Sequence, residues 1–356
     1  MHSSTSSFER LIPNLAWRNL TLTTVALSLA AVVGWETYVR HLGYEPTLND
    51  TSDLWAERRA EVKPDSTVII GDSRALFDLD LDVLAEGLGR RPIQLALVGS
   101  SAFPILKDLI ADESFHGTII TGMVPLMFLA PGGPPVENSE KALKRFRTRT
   151  VAQRLSNRLG MMLEEHIAFL KQEDLTLEAL LKRLPIPNRA SAQIPPRLPP
   201  YFYTIDRERR GRMFEVAAKS GPLQTRIQQG WLPLFSPPPP PKWIPKDAFM
   251  KFMGDTIESR FTETASMVQK FRARGGKVLF VRFPMSGPLK EIENKATPKS
   301  VQWARLLKDT QAPGIYFEDF EELSHFECPE WSHLSAPDSV EFTRRVVPHM
   351  KKALGI

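Results

Sequence analysis

The chain has 356 residues, enough for one large domain or two smaller ones, and 42% of them are hydrophobic, as in ordinary globular proteins. Its formal net charge is +5, and it contains no nucleic-acid-binding module and no cysteine–histidine spacing of a metal site, so we expect no nucleic acid, metal or cofactor as a ligand. The single cysteine, Cys328, excludes an intrachain disulfide.

The first apolar segment runs from Leu20 to Trp35 and contains no charged residue. A membrane span needs about 20 apolar residues, a length reached here if residues 20–39 cross the bilayer. Arg10 and Arg18 precede the segment, which favours a cytoplasmic N-terminus comprising residues 1–19. We therefore predict a single transmembrane anchor that places the rest of the chain outside the cytoplasm, in the periplasm.

Two alternatives to an anchor stay open at this point. A cleaved signal peptide has the same basic and apolar regions, but the sequence around Val32 to Gly34 is a poor cleavage site. A buried helix of a soluble protein is the other alternative. An uncleaved anchor in the inner (cytoplasmic) membrane is the preferred interpretation.

Beyond a connector at residues 40–64, the chain alternates between apolar runs and helical patterns. The runs do not alternate in polarity, which is typical of parallel strands buried on both faces. The predicted strands are Val68–Gly71, Ile93–Val98, Thr118–Val124, Lys277–Phe283 and Gly314–Phe317. The predicted helices are Leu76–Leu88, Pro104–Ala111, Asp247–Arg274, Lys299–Lys308 and Pro337–Leu354. Residues 65–356 are therefore predicted to form a doubly wound α/β domain around a five-stranded parallel sheet.

A large insertion, at about residues 125–246, separates the third and fourth predicted strands. Its first part, Glu140 to Leu184, has a helical pattern. Its second part, Pro185 to Pro245, includes the run Pro237 to Pro241 and predicts irregular or polyproline structure, because proline interrupts helices and central strands.

Two basic stretches and several aromatic residues of the insertion have more than one interpretation. The basic stretches, Lys141 to Arg158 and Arg207 to Arg212, suit an acidic polysaccharide, lipid headgroups or simply solvent. The aromatic residues Tyr201 to Tyr203, Trp231 and Trp243 suit sugar stacking or packing onto the domain.

Polar residues with catalytic potential follow the predicted strands. Ser73 comes after the first strand in Gly71-Asp72-Ser73, Gly99 ends the second, and Glu330 and His333 follow the fifth in "CPEWSHLSAPDS". Ligands of open parallel sheets bind beyond the carboxyl ends of the strands. A serine nucleophile needs a histidine base, an acid that orients the base, and backbone N–H groups that face the oxyanion. Each residue alone also suits a turn, a helix cap or a structural contact.

These motifs resemble the SGNH (GDSL-type) hydrolases. Gly71-Asp72-Ser73 is similar to the first block of that family, and Glu330-Trp331-Ser332-His333-Leu334 is similar to the last block, in which the acid is usually aspartate. The resemblance implies that Ser73 is the nucleophile, His333 the general base and Glu330 the orienting acid. It also implies that the N–H groups of Ser73 and Gly99 form the oxyanion hole.

The third block departs from the family pattern, which has Gly-x-Asn-Asp after the third strand. The stretch here is Gly122-Met123-Val124-Pro125, without the asparagine that donates to the oxyanion. Losing one such donor costs about 10²–10³ in rate in other serine enzymes. A catalytically weak binding or assembly subunit is therefore an alternative to an enzyme.

The anchored layout is similar to proteins of cell-envelope polysaccharide O-acetylation, such as the alginate O-acetyltransferase-like proteins. That resemblance implies a serine esterase or O-acyltransferase with an acyl donor and a glycan as substrates, and a membrane-bound O-acyltransferase as partner. Hydrolysis of lipid esters is a further alternative.

Overall fold

The computed structural model describes residues 16–171, 199–234 and 243–356, and also 175, 177–182 and 184. The chain forms an α/β structure around a five-stranded, entirely parallel sheet, as the sequence predicted. The strands of this sheet are β1 (Thr67–Ile70), β2 (Ile93–Gln94), β3 (Thr118–Gly122), β6 (Lys277–Arg282) and β7 (Gly314–Tyr316). A separate two-stranded sheet contains β4 (Tyr203–Ile205) and β5 (Gly211–Met213).

The strand order of the main sheet is β2-β1-β3-β6-β7, the doubly wound arrangement in which the first strand lies between the second and the third. All four residues of β1 are buried, and so are the last five of β6. Burial on both faces explains why these strands are continuous apolar runs in the sequence. The carboxyl ends of all five strands lie along one edge of the sheet.

Helices cover both faces of the sheet, and others lie in the described part of the insertion. Those before and within the first half of the sheet are α1 (Trp17–His41), α2 (Ser52–Arg59), α3 (Ser73–Phe77), α4 (Leu81–Leu88) and α5 (Ala102–Ala111). Those of the insertion are α6 (Pro125–Phe128), α7 (Pro134–Thr148), α8 (Val151–Glu164), α9 (Leu177–Lys182), α10 (Glu215–Ala218) and α11 (Pro222–Leu234). Those that follow are α12 (Lys246–Ala273), α13 (Gly287–Ala296), α14 (Ala304–Thr310), α15 (Glu321–Ser324) and α16 (Ala336–Leu354).

The second strand is shorter than the predicted Ile93–Val98, because it ends at Gln94. The Gln94 side chain accepts a hydrogen bond from Ala96 N–H and donates one to the Ala75 carbonyl. The Gln94 side chain therefore occupies the Ala96 N–H, which a longer strand would use to pair with its neighbour in the sheet. Leu97 N–H still donates to the Gly71 carbonyl at 3.0 Å, so the loop after β2 leaves the sheet beside the loop after β1.

The prediction of irregular structure throughout Pro185 to Pro245 is wrong for two segments. Strands β4 and β5 pair as an antiparallel hairpin, with Tyr203 opposite Met213, and α11 is a 13-residue helix. The prolines stand at the ends of these segments, so the stretch between Pro200 and Pro222 is free to pair its backbone. The run Pro237 to Pro241 lies outside the described residues.

The N-terminal helix α1 is 25 residues long and apolar enough to cross a membrane. No residue of its most apolar stretch is buried against the rest of the protein. Only its last turns contact the domain. There the Glu36 carboxylate accepts hydrogen bonds from Ala168 and Phe169 N–H, and the Arg40 side chain donates to the His166 carbonyl at 2.9 Å.

The packing of the turn from β1 into α3 depends on the absence of side chains at Gly71 and at Gly122, since a Cβ at either position would lie 2.6 Å from the Ala75 Cβ of α3. We expect Gly122→Ala to lower the free energy of unfolding by about 1–3 kcal/mol, because α3 must move away. Gly254→Ala on α12 is the control, since a Cβ there meets nothing within 4 Å and alanine favours a helix. Equal unfolding stability of the two variants, measured by denaturant titration in detergent, would contradict this packing.

Candidate active site

Ser73 is the first residue of α3 and lies directly beyond the carboxyl end of β1. Gly71 has a φ of +151°, which carries the chain sharply from the strand into the helix. The Asp72 side chain then accepts a hydrogen bond from Arg74 N–H and caps the helix. Asp72 is thus a structural residue, and Ser73 is held on a short, rigid turn with 7% of its surface exposed.

The side chains of Ser73, His333 and Glu330 form one continuous chain of hydrogen bonds. His333 Nε2 lies 2.8 Å from Ser73 Oγ, and His333 Nδ1 lies 2.9 Å from Glu330 Oε1. Because a carboxylate only accepts hydrogen bonds, Nδ1 carries the proton and Nε2 accepts from the serine hydroxyl. The fold therefore brings the nucleophile, base and acid that the sequence predicted into contact in the order that acyl transfer requires.

The Glu330 carboxylate is completely buried, and both of its oxygens have partners. Oε1 accepts from the backbone N–H groups of Ser332 and His333 as well as from the imidazole. Oε2 accepts from the indole N–H of Trp231. Trp331 adopts a left-handed conformation, with a φ of +80°, and so turns the chain between the acid and the base.

Aromatic rings from α3 and from the insertion surround the imidazole of His333. The ring centroids of Phe77, Phe202 and Trp231 lie 4.7, 5.7 and 5.7 Å from that of His333. Two of these three residues belong to the insertion, which therefore packs directly on the candidate base. Sequence reasoning offered packing for Trp231 but no contact with the acid, because 98 residues lie between Trp231 and Glu330.

A buried cluster of charges lies next to the serine. The guanidinium groups of Arg74 and Arg282 both donate to the Glu293 carboxylate, and all three side chains are at most 3% exposed. Arg74 Nε also donates to Ser332 Oγ, at 3.3 Å. Arg74 therefore connects the helix that carries Ser73 with the loop that carries His333.

A second buried carboxylate, Asp78, supports the loop that carries His333. Its Oδ1 accepts from Leu334 N–H at 2.9 Å, and no side chain or backbone donor among the described residues reaches Oδ2. Burial raises the pKa of Asp78 well above its usual value.

Gly99 lies in the loop after β2, with a φ of +61°. This loop is fixed by α7, because Ser101 N–H donates to the Pro135 carbonyl and the Ser139 hydroxyl donates to the Ser101 carbonyl. Within the described parts of the chain, the N–H groups of Ser73 and Gly99 donate to no other group. Both are thus free for an oxyanion, whereas the segment after β3 presents Met123, Val124 and Pro125 and adds no side-chain donor.

The second basic stretch, Arg207 to Arg212, is neutralised within the fold. All four of its arginines form ion pairs: Arg207 with Glu165, Arg209 with Asp50, Arg210 with Asp82 and Asp206, and Arg212 with Asp80. The stretch therefore offers no unpaired arginine to an acidic polymer, which was one of its possible interpretations. In the described ranges, no group of three or more His, Cys, Asp or Glu side chains is arranged to hold a metal ion.

Comparisons with known proteins give little further information. No family model matches the sequence, and no curated protein matches it. A search of solved structures finds the crystal structure of a carbohydrate acetylesterase family member from Sinorhizobium meliloti, with 11% identity over 82% of this chain and 100% of that chain. Its TM-score of 0.32 is too low to support any inference about the function of this protein.

The charge cluster next to Ser73 predicts a specific dependence of stability on pH. Burial by itself would raise the pKa of Glu293, but Arg74 and Arg282 outweigh it and lower the pKa from 4.5 to about 2. Because the folded-state pKa is depressed, the stabilisation is present above pH 4.5 and is lost as the pH falls towards 2. The difference corresponds to about 3 kcal/mol.

We expect Glu293→Gln to lower the free energy of unfolding at pH 7 by about 3–5 kcal/mol, because two guanidinium groups stay buried without a carboxylate. The variant should also lose the fall in stability between pH 4.5 and pH 2. Glu291→Gln, on the exposed side of the same helix, is the matched control and should behave as wild type. Denaturant titrations at several pH values measure both effects, and parallel curves for wild type and Glu293→Gln would contradict the assignment.

Proposed function

We propose that the protein is a membrane-anchored serine esterase or O-acyltransferase that modifies cell-envelope polysaccharide outside the cytoplasm. The observation that carries the proposal is the hydrogen-bonded series from Ser73 Oγ through His333 to Glu330. The series ends in a buried carboxylate whose four donors hold it in place. A structural serine at a strand end does not require such an arrangement.

The chemistry follows from the positions of these groups. His333 Nε2 removes the proton of the Ser73 hydroxyl as its oxygen attacks the carbonyl carbon of an acyl ester. Glu330 stabilises the imidazolium that forms, and the N–H groups of Ser73 and Gly99 donate to the oxyanion. Return of the proton to the leaving oxygen releases the alcohol and leaves Ser73 acylated. A second hydroxyl, from a sugar or from water, then takes the acyl group by the same steps in reverse.

The envelope location and the glycan acceptor rest on different support. Helix α1 is long and apolar enough to cross a membrane, and Arg18 before it favours a cytoplasmic N-terminus. The inner membrane is the proposed location, with the α/β domain in the periplasm. The SGNH-like motifs around Ser73 and His333 support acyl transfer on carbohydrate, with a membrane-bound O-acyltransferase as the proposed partner.

A second candidate function is a binding or assembly subunit of such a machinery, without turnover of its own. The segment after β3 favours it, because Val124 stands where the third block of the SGNH pattern has its asparagine. The two candidates differ in one measurable property, the nucleophilicity of Ser73.

We expect a fluorophosphonate to label the full-length protein in detergent at Ser73. Ser73→Ala should abolish labelling, and His333→Ala should slow it by about 10³–10⁴, because the hydroxyl then lacks its base. Ser100→Ala is the control, since this buried serine donates to the Val98 carbonyl in the loop after β2. Labelling is followed by intact-protein mass spectrometry, and a wild type that does not react would favour the assembly subunit.

The same Ser73→Ala change tests the substrate class in the host cell. We expect it to remove O-acetyl groups from the surface polysaccharide, measured by NMR of the purified glycan, while the protein stays in the membrane fraction. An unchanged acetyl content together with normal labelling in vitro would point to another ester, and activity on long-chain esters would then indicate a lipid substrate.

A further inference from the structure

Helix α8 exposes an apolar surface to solvent. Its exposed side carries Val151, Leu155, Leu159, Met162 and Leu163, each at least 56% exposed. These residues recur at intervals of three and four and therefore share one side of the helix over about 18 Å. The other side packs on the domain through the buried Met161. Among the described residues, nothing covers these five side chains, which we name the α8 stripe.

The α8 stripe lies close to the end of the N-terminal helix. Glu164, at the end of α8, accepts a hydrogen bond from Asn49 N–H. His166 and Ala168, which follow directly, contact Arg40 and Glu36 in the last turns of α1. The domain is thus attached to α1 through the segment that ends α8. If α1 crosses a bilayer, the end of α8 lies at the bilayer surface.

The charges around the α8 stripe suit an anionic surface. Residues 141–158 contain seven lysines and arginines and no acidic residue. Three of these cations are paired: Arg145 with Asp53, Arg147 with Asp108 and Arg158 with Glu57. In the part of the chain that the structure describes, Lys141, Lys144, Arg149 and Arg154 form no ion pair. A helix with an apolar side and unpaired cations beside it is typical of helices that lie in a membrane interface.

We propose that α8 lies on the outer surface of the bilayer that α1 crosses, with the α8 stripe in the acyl boundary and the neighbouring cations on anionic headgroups. The inference rests on the proposed anchoring by α1. It gives the domain a second point of attachment and so fixes how the Ser73 site is oriented relative to the membrane. With α1 as its one attachment, the domain could rotate relative to the membrane.

The test uses the full-length protein in vesicles that contain phosphatidylglycerol, with a fluorescent NBD probe on one introduced cysteine at a time. The native Cys328 is buried and gives little background. The probe stands at Leu159 in the α8 stripe, at Val33 in α1, or at Lys352 on the exposed side of α16. Quenching is measured with spin-labelled lipids and with iodide in the water.

We expect a lipid spin label near the headgroups to quench the Leu159 probe at least twofold, with little effect of iodide. The Val33 probe should be quenched most by a label deep in the bilayer, and the Lys352 probe by iodide alone. A Leu159 probe that iodide quenches, beside a lipid-quenched Val33 probe, would overturn the inference. Protection of Leu159 from both quenchers would also overturn it, since a protein then covers the stripe. A Val33 probe outside the lipid would refute the anchor itself.

A different observation, the hydrogen bond from the Trp231 indole to Glu330, carries a second inference. Glu330 Oε1 serves His333, and Oε2 serves Trp231, so the two bonds together fix the rotation of the carboxylate. Helix α11 is attached to the same loop, because the Gln228 side chain donates to the Pro329 carbonyl at 3.0 Å. We infer that Trp231 is a positioning residue, through which the insertion holds Glu330 towards His333. This inference rests on the proposed acyl-transfer function.

The insertion also fixes the position of Trp231. A Cβ on the preceding residue, Gly230, would lie 2.8 Å from the backbone of Pro199, so α11 and the proline-rich segment are in close contact. Trp231 is therefore held between the packed segment at Pro199 and the carboxylate of Glu330. The proline-rich insertion completes the candidate active site as well as covering it.

Trp231→Phe tests this role, because it keeps an aromatic ring and removes the N–H donor. We expect the rate of fluorophosphonate labelling to fall about tenfold at neutral pH. The pH dependence of this rate should change as well, because the His333 imidazole loses part of the support that a fixed carboxylate gives it. Trp243→Phe, at an 81% exposed residue after the insertion's proline run, should change neither property. A Trp231→Phe profile identical to that of Trp243→Phe would overturn the inference.

A measurement without turnover separates this inference from the proposed function. We expect the proton between His333 Nδ1 and Glu330 to give a low-field NMR signal in the resting protein, because it lies in a short hydrogen bond to a carboxylate. We expect Trp231→Phe to shift or broaden that signal and Trp243→Phe to leave it in place. If the wild type is not labelled but the signal shifts, the proposed catalysis fails and the positioning role stands; an unmoved signal refutes the positioning role.

Discussion

The hydrogen bond between Ser73 and His333 joins residues 260 positions apart, and the remaining features of the site depend on its geometry. It requires the turn after β1 and the loop before α16 to meet at one edge of the sheet. The order β2-β1-β3-β6-β7 brings these segments to the same edge, because all five strands run in parallel. A hydroxyl and an imidazole in this contact have no strong interaction of their own, so the surrounding structure must hold them.

Buried polar and charged side chains provide much of that support. Arg74 follows Ser73 directly and bonds both Glu293 and Ser332, while Asp78, at the end of the same helix, accepts a hydrogen bond from the backbone N–H of Leu334. Both contacts join α3 to the loop that carries His333. Buried ion pairs are poor sources of net stability, but they fix geometry strongly, because a displaced partner leaves an unpaired charge in the protein interior.

The insertion extends the site beyond the α/β domain. It contributes Phe202 and Trp231 to the surroundings of His333, and its helix α8 exposes an apolar side close to the end of α1. One inserted segment therefore contacts the candidate catalytic acid and also faces the proposed membrane. If α8 lies on the bilayer as proposed, the same part of the chain both contacts Glu330 and orients the domain on the membrane.

The sequence by itself determined the α/β class, the five strands and the three residues of the hydrogen-bonded series, because apolar runs and short motifs are local patterns. It did not reveal the hairpin of β4 and β5, since proline composition hides a short stretch of regular pairing. It also did not identify Trp231 or Glu293, because nothing in the local sequence marks a residue whose partner lies far along the chain. Only the tertiary structure decided those contacts, since they arise where the insertion and the sheet edge pack together and every buried polar group must find a partner.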